Sequence, residues 1–295
     1  MQRVENEIAR LIKECNYDEV TRLFEMLSGG KRLRAKLILK IAPLSDKAPL
    51  LAAIVELIHA ASLLHDDVID DASTRRGVAS VNATDGSKTA VMLGDVLYSK
   101  AFTELVSFER EIAKTIASSV TALSKGEMMD VKMSEAFSGD EDKYLDMLYL
   151  KTATLIEAAA ASAAMLSGKD SASHALYGKN LGLSFQIIDD ILDITADSAT
   201  LGKPAMNDFT EGKCTLPYIY LYKALNDDEQ KKLVDMHAKA LDESEILWIK
   251  QKMQEHKSIE RAFELASKLS NEAMNIMRDD EDLVNILQTM IKRSY

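Results

Sequence analysis

LLAAIVELIHAASLLHDDVIDD, residues 50–71, decides the architecture. From Leu51 to Leu64 only Glu56, His59 and Ser62 interrupt an otherwise apolar run. A helix apolar on most sides belongs inside a bundle. The run then breaks into His65-Asp66-Asp67-Val68-Ile69-Asp70-Asp71. Asp66 and Asp70 stand at i and i+4, on one face a turn apart, and Asp67 and Asp71 repeat the spacing beside them. Like charges so placed repel, and a divalent cation removes that cost.

Working outward, a second segment has the same design. Phe185-Gln186-Ile187-Ile188-Asp189-Asp190-Ile191-Leu192-Asp193 closes another apolar stretch, again with Asp-Asp-x-x-Asp spacing. One acidic run alone is more often a solvated face. Two of identical spacing, each ending an apolar helix, point to a metal site. Oxygen-only donors suit Mg2+, which takes one or two carboxylates and completes its shell with water and substrate phosphate. A cage of several Mg2+ ions between two such helices calls for a polyanion, and a diphosphate is the natural guest.

Elsewhere the chain reads as helix: about 3–15, 17–27, 31–42, 48–72, 87–107, 109–133, 140–166, 172–196, 214–225, 228–240, 243–255, 258–275 and 280–293. Alanine, leucine, methionine, glutamate and lysine dominate, and no convincing period-two strand stands out. Four prolines, Pro43, Pro49, Pro204 and Pro217, sit where helices begin or end. Loops fall at 28–30, 74–86 and 197–212, the last long enough to be functional or mobile. The expected fold is all-α, one large helical bundle over residues 1–295 around a deep apolar cavity.

Of the 295 residues, 47% are hydrophobic, enough for a sizeable core. The net charge of −11 argues against nucleic acid as a partner. Two cysteines, Cys15 and Cys214, build neither a disulfide framework nor a zinc site. The charged N-terminus does not resemble a signal peptide, and no uncharged run reaches the length of a transmembrane segment. The expectation is a cytoplasmic protein.

A metal-bridged diphosphate also needs cations. Gly29-Gly30-Lys31-Arg32-Leu33-Arg34 opens a helix, and helix N-termini favour anions. Arg75 and Arg76 follow the first acidic cluster. Lys151-Thr152 lies in a mostly apolar helix, and Lys203 and Lys213 follow the second cluster. His59 lies two turns before Asp66. Any one of these is more often a surface charge or a core histidine.

With these segments in order, the chain resembles the trans-isoprenyl (polyprenyl) diphosphate synthases over nearly its whole length. The resemblance rests on GGKRLR at 29–34, IHAASLLHDDVIDDASTRRG at 58–77, NATDG at 82–86, GD at 94–95, KT at 151–152, FQIIDDILD at 185–193 and GKPAMNDFTEGKCTLP at 202–217. It implies an isoprenoid synthase fold and a homodimer. It also implies Mg2+-dependent, head-to-tail trans condensation of an allylic diphosphate with isopentenyl diphosphate. Lys31, Arg34 and His59, helped by Arg76, would hold isopentenyl diphosphate. Arg75, Lys151, Thr152, Gln186, Lys203 and Lys213 would serve the allylic diphosphate. By the same resemblance Asp66 and Asp70, with Asp67 in support, would bind Mg2+ from one side, and Asp189 with Asp190 and Asp193 from the other. Ala35 departs from the proline usual after the basic element, which bears on local rigidity only.

Product length is read from the turn before Asp66. Ala61 and Ser62, five and four residues back, are small where short-chain members of the family are bulky, and Ile58 lies one turn deeper. A helical turn rises about 5.4 Å, near the length of an isoprene unit. The expected product is medium to long, with eight units the single choice; a farnesyl or geranylgeranyl diphosphate synthase is the alternative. A class I terpene cyclase needs no second diphosphate site, so Lys31, Arg34 and His59 weigh against it. A head-to-head condensing enzyme is disfavoured on similar grounds. A non-catalytic synthase partner is disfavoured by the two intact aspartate clusters.

Overall fold

The computed structural model describes residues 1–27, 30, 32–75, 77–195 and 206–291. The helices are α1 Gln2–Lys13, α2 Asp18–Met26, α3 Leu33–Ile41, α4 Ala48–Ile69, α5 Val81–Asp85, α6 Ser87–Leu105, α7 Arg110–Ser134 and α8 Glu141–Leu148. A π-turn, Tyr149–Ala153, follows, then α9 Thr154–Leu166, α10 Ser171–Thr195, α11 Asn207–Thr210 and α12 Leu216–Ala224. The last are α13 Asp227–Met236, α14 Glu243–Glu255, α15 Ser258–Ile276 and α16 Glu281–Ile291. The expectation of no strand needs one correction. Thr74–Arg75 (β1) and Val78–Ala79 (β2) pair antiparallel across Gly77, which takes φ +78°. Two-residue strands are too short for a period-two pattern to register.

By contacts the chain divides into two compact units, residues 1–121 with 155–178, and 122–154 with 179–295. The first is built on α4. Pro49 opens this helix, where a missing N–H costs nothing. Leu51, Ile54, Val55, Leu57, Ile58 and Leu64 are fully buried along it. Each stabilises the unit by roughly 1.5–3 kcal/mol. α1, α3 and α6 pack against α4. By length and composition α4 could cross a membrane, yet 72% of its most apolar window is buried within the protein, as a core helix requires.

The second unit gathers Phe209, Tyr218, Leu221, Leu233, Ile249 and Met253 into a core. Its helix starts are set by local chemistry. Asn226 with Glu229 and Asp242 with Glu245 form capping boxes on α13 and α14, each satisfying two orphan N–H groups. Pro217 sits in the first turn of α12.

Candidate active site

In the first unit the acidic cluster occupies the end of α4. Asp66 is half-buried on the last turn, Asp70 is exposed at the C-cap, and Asp71 takes a left-handed φ of 49° that stops the helix. Asp67 points inward and is buried. Arg75, carried by the hairpin, clasps it, with Nη2 2.7 Å and Nε 2.8 Å from Oδ1. Asn82, at the head of the NATDG segment, donates from Nδ2 to the carbonyls of Asp67 and Ala72. That side chain closes the helix end on the following loop. The residues at the head of the cluster are fixed by α6. A Cβ on Gly94 would lie 2.3 Å from the His65 ring, so the glycine leaves the space that the imidazole fills. His65 donates to the Val91 carbonyl at 3.1 Å and meets Tyr98 edge-on.

Upstream on α4, Ile58, Ala61 and Ser62 are buried and His59 is half-buried, its carbonyl accepting the Ser62 hydroxyl. Glu56, buried one turn before Ala60, was not among the expected site residues. Its carboxylate accepts the Ala35 N–H at 3.1 Å and pairs with Arg32 at 3.2 Å. The N-terminus of α3, expected to receive a substrate anion, thus has a protein carboxylate on one of its N–H groups. Arg34 is half-buried with an Nε that is fully buried and has no hydrogen-bond partner. Burial pulls its guanidinium below the usual arginine range, against the opposing pull of Glu56. Lys31, Arg76 and Lys203 lie outside the described residues.

In the second unit, Lys151, Thr152, Gln186 and Lys213 come together around one cavity of about 140 Å³, with Asp190 and Asp208 also on its wall. Lys151 and Thr152 are presented by the π-turn, one added residue that breaks the α-helical register; such bulges recur at functional sites. Thr152 donates to Gln186 Oε1 at 3.3 Å, and Gln186 donates onward to Asp190 Oδ1 at 3.0 Å. The Tyr144 hydroxyl, buried on α8, donates to the other Asp190 oxygen. Lys213 pairs with Glu211 at 3.0 Å.

The second acidic cluster divides by environment. Asp189 is exposed. Asp190 is buried, and its pKa is pushed up to about 8, first by burial and then by Asp208, despite the hydrogen bonds from Tyr144 and Gln186. Asp193 is also buried. Its carboxylate accepts the Asp208 N–H at 3.2 Å and its carbonyl accepts the Met206 N–H at 2.8 Å, so it fastens the start of α11.

The expected loop 197–212 needs a matching correction. Residues 196–205 lie outside the described part, but from Met206 onward the chain is anchored rather than loose. Phe209 stacks on Tyr218 at 4.3 Å, and His237 donates to the Gly212 carbonyl at 2.8 Å.

Three more contributors escaped the sequence reading: Gly126, Glu127 and Asp130, all on α7. Lys151 Nζ lies 2.8 Å from Glu127 and 2.5 Å from Asp130. A glycine within a helical run, followed by acids one and four residues on, was the available signal.

Among the described residues no three His, Cys, Asp or Glu side chains converge as a self-sufficient metal cage. The exposed carboxylates of Asp70 in the first unit and of Asp189 in the second are oxygen donors of the kind Mg2+ takes.

The polyprenyl synthetase family model matches residues 18–255. The octaprenyl diphosphate synthase of Haemophilus influenzae is 32% identical over the whole of this chain and 94% of its own length. The solved octaprenyl pyrophosphate synthase of Helicobacter pylori is 43% identical, with a TM-score of 0.93 over 98% of this chain and 97% of that one. A polyprenyl synthase from Caulobacter crescentus, solved with calcium and isoprenyl diphosphate, is 27% identical with a TM-score of 0.83 over 98% of each chain. Similarity that runs end to end in both sequence and fold shows that this chain belongs to the polyprenyl synthetase family, and that it is a prenyltransferase elongating trans-prenyl diphosphates.

Proposed function

We propose that the enzyme condenses an allylic diphosphate with successive isopentenyl diphosphates, depends on Mg2+, and releases octaprenyl diphosphate. The observation that carries the reading is the gathering of Lys151, Thr152, Gln186 and Lys213 on one cavity wall. Two ammonium groups and two neutral hydrogen-bonding groups make a wall suited to the allylic diphosphate. When bound, Mg2+ supplies Lewis-acid neutralisation of the leaving diphosphate. Asp66 on the last turn of α4, Asp70 at its C-cap and Asp189 on α10 are the carboxylates that would hold it. Asp67, Asp190 and Asp193 serve instead by holding Arg75, Gln186 and α11.

Lys151 and Lys213 stabilise charge growing on the diphosphate as the allylic C–O bond breaks. Arg34, with its unpartnered Nε, and His59 receive isopentenyl diphosphate, whose double bond attacks the allylic carbon. Attack leaves a cation on the isopentenyl unit; the carbon beside it gives up a proton to the released diphosphate, and its C–H electron pair becomes the new double bond. Apolar side chains exclude the water that would quench the cation. The small buried residues Ala61 and Ser62, with Ile58 beyond, leave the growing chain room along α4. The similarity to octaprenyl synthases from Helicobacter pylori and Haemophilus influenzae supports eight units. A homodimer is part of the same reading, because α6 and its C-cap leave Val91, Met92, Phe102 and Val106 exposed.

The test is incubation of purified enzyme with isopentenyl diphosphate and an allylic primer, with Mg2+ or with a chelator, and sizing of products by mass. Mg2+-dependent elongation ending at eight units is expected. Products no longer than three or four units overturn the chain length, and elongation in chelator overturns the metal requirement.

A further inference from the structure

α7 passes unusually close to the π-turn. A Cβ on Gly126 would stand 2.3 Å from the Lys151 nitrogen and 2.7 Å from its Cα. No side chain fits there, so glycine lets one helix backbone rest on the other. The next residue, Glu127, and the acid one turn on, Asp130, then reach the Lys151 ammonium from the same helix. Both carboxylate side chains are only 10% exposed and the lysine 21%. Neither Glu127 oxygen has a hydrogen-bond partner of good geometry, so its ion pair with Lys151 is what offsets its burial.

A lysine side chain has four rotatable bonds and loses about 2 kcal/mol of rotamer freedom when fixed. Left to itself it would wander over the cavity mouth. Two carboxylates on one helix confine it to a single direction. The buried pair also costs stability relative to an apolar contact, so it is not explained as a stabilising device.

We propose that Glu127, with Asp130, is a positioning residue for the allylic diphosphate: it acts through Lys151, which it holds at the cavity wall, and Gly126 is the small residue that lets it reach. This rests on the reading of that cavity as the allylic site. Glu127 need not touch the substrate. Its effect belongs to the allylic diphosphate alone.

The test is a double-mutant cycle of Glu127→Gln and Lys151→Ala in the full-length enzyme, with KM measured separately for each substrate and folding followed by circular dichroism. Glu127→Gln is expected to raise the allylic KM about tenfold, from loss of the ion pair that holds the lysine, with the KM for isopentenyl diphosphate unchanged. In the Lys151→Ala background the same change is expected to add nothing. Additive effects in the cycle, or equal rises in both KM values, overturn the positioning role. A Lys151→Ala enzyme with normal allylic KM overturns the cavity assignment instead. Should Glu127→Gln fold poorly, Glu127→Asp keeps the charge and serves in its place; it is expected to retain most of the allylic affinity, and a tenfold rise with that variant would count against the role.

Discussion

Asp189 and Asp190 are joined by one peptide bond and differ in almost everything that matters to a carboxylate. Asp189 faces water and Asp190 is sealed between Tyr144 and Gln186. Asp189→Ala is therefore expected to lower kcat by orders of magnitude while the melting temperature holds, and near-normal turnover would remove it from the metal set. Asp190 carries a different prediction. Its folded pKa of about 8 lies above the unfolded value of about 4. The native state then binds more protons than the unfolded one between those limits, so stability falls as pH rises from 4 to 8 and is level beyond. Asp190→Asn should remove that slope. Melting curves in chelator should show the variant gaining on the wild type from pH 5 to pH 8, and a constant difference would refute it. A third residue-scale test concerns the product. Ala61 is buried on α4, and Ala61→Phe should shorten the chain to about three or four units with condensation retained; chromatography of products decides. The spacing of both clusters was legible in the sequence, but this division of labour was not. Whether an aspartate faces water or a tyrosine from another helix is settled by packing that no local pattern records.

Among elements, the long helices were the legible part. Their helix-forming composition and long apolar stretches, with Pro49 at the start of α4, locate α4, α7 and α10 to within a few residues. The π-turn was invisible because one added residue changes hydrogen bonding without changing composition. The hairpin at Thr74–Ala79 and the four-residue α11 were too short to carry a period. The π-turn and α7 depend on each other at Gly126. Gly126→Ala should push the two backbones apart, costing roughly 1–3 kcal/mol as overpacking does. Because the displaced atoms include the Lys151 backbone, activity should fall further than stability alone explains. Thermal melts paired with rate measurements check this, and an alanine variant with unchanged activity would show that the contact is slack. Gly94→Ala meets only the end of a side chain, the His65 ring, which can move aside, so its effect should be smaller.

For the whole molecule, assembly is the first question. Phe102, on the exposed side of α6, is 37% exposed and Val106 is 82% exposed. For the proposed homodimer, a Phe102→Glu substitution should yield a monomer in light scattering where the wild type has twice the mass; a wild-type monomer would refute the dimer, and a variant of unchanged dimeric mass would place the interface elsewhere. The second question is how the chain survives its own synthesis. α4, 22 residues long, holds an 18-residue window of mean hydropathy 1.6, comparable to a membrane helix. α1 and α3 precede it, but α6, which packs along it, is not complete until Leu105. At roughly 5–20 residues per second, the ribosome leaves that side of α4 uncovered for a few seconds. During this interval the nascent chain displays the kind of signal by which membrane proteins are sorted. The apolar residues that make α4 a good core helix therefore also give the nascent chain a segment open to mistaken contact with a bilayer until α6 covers it.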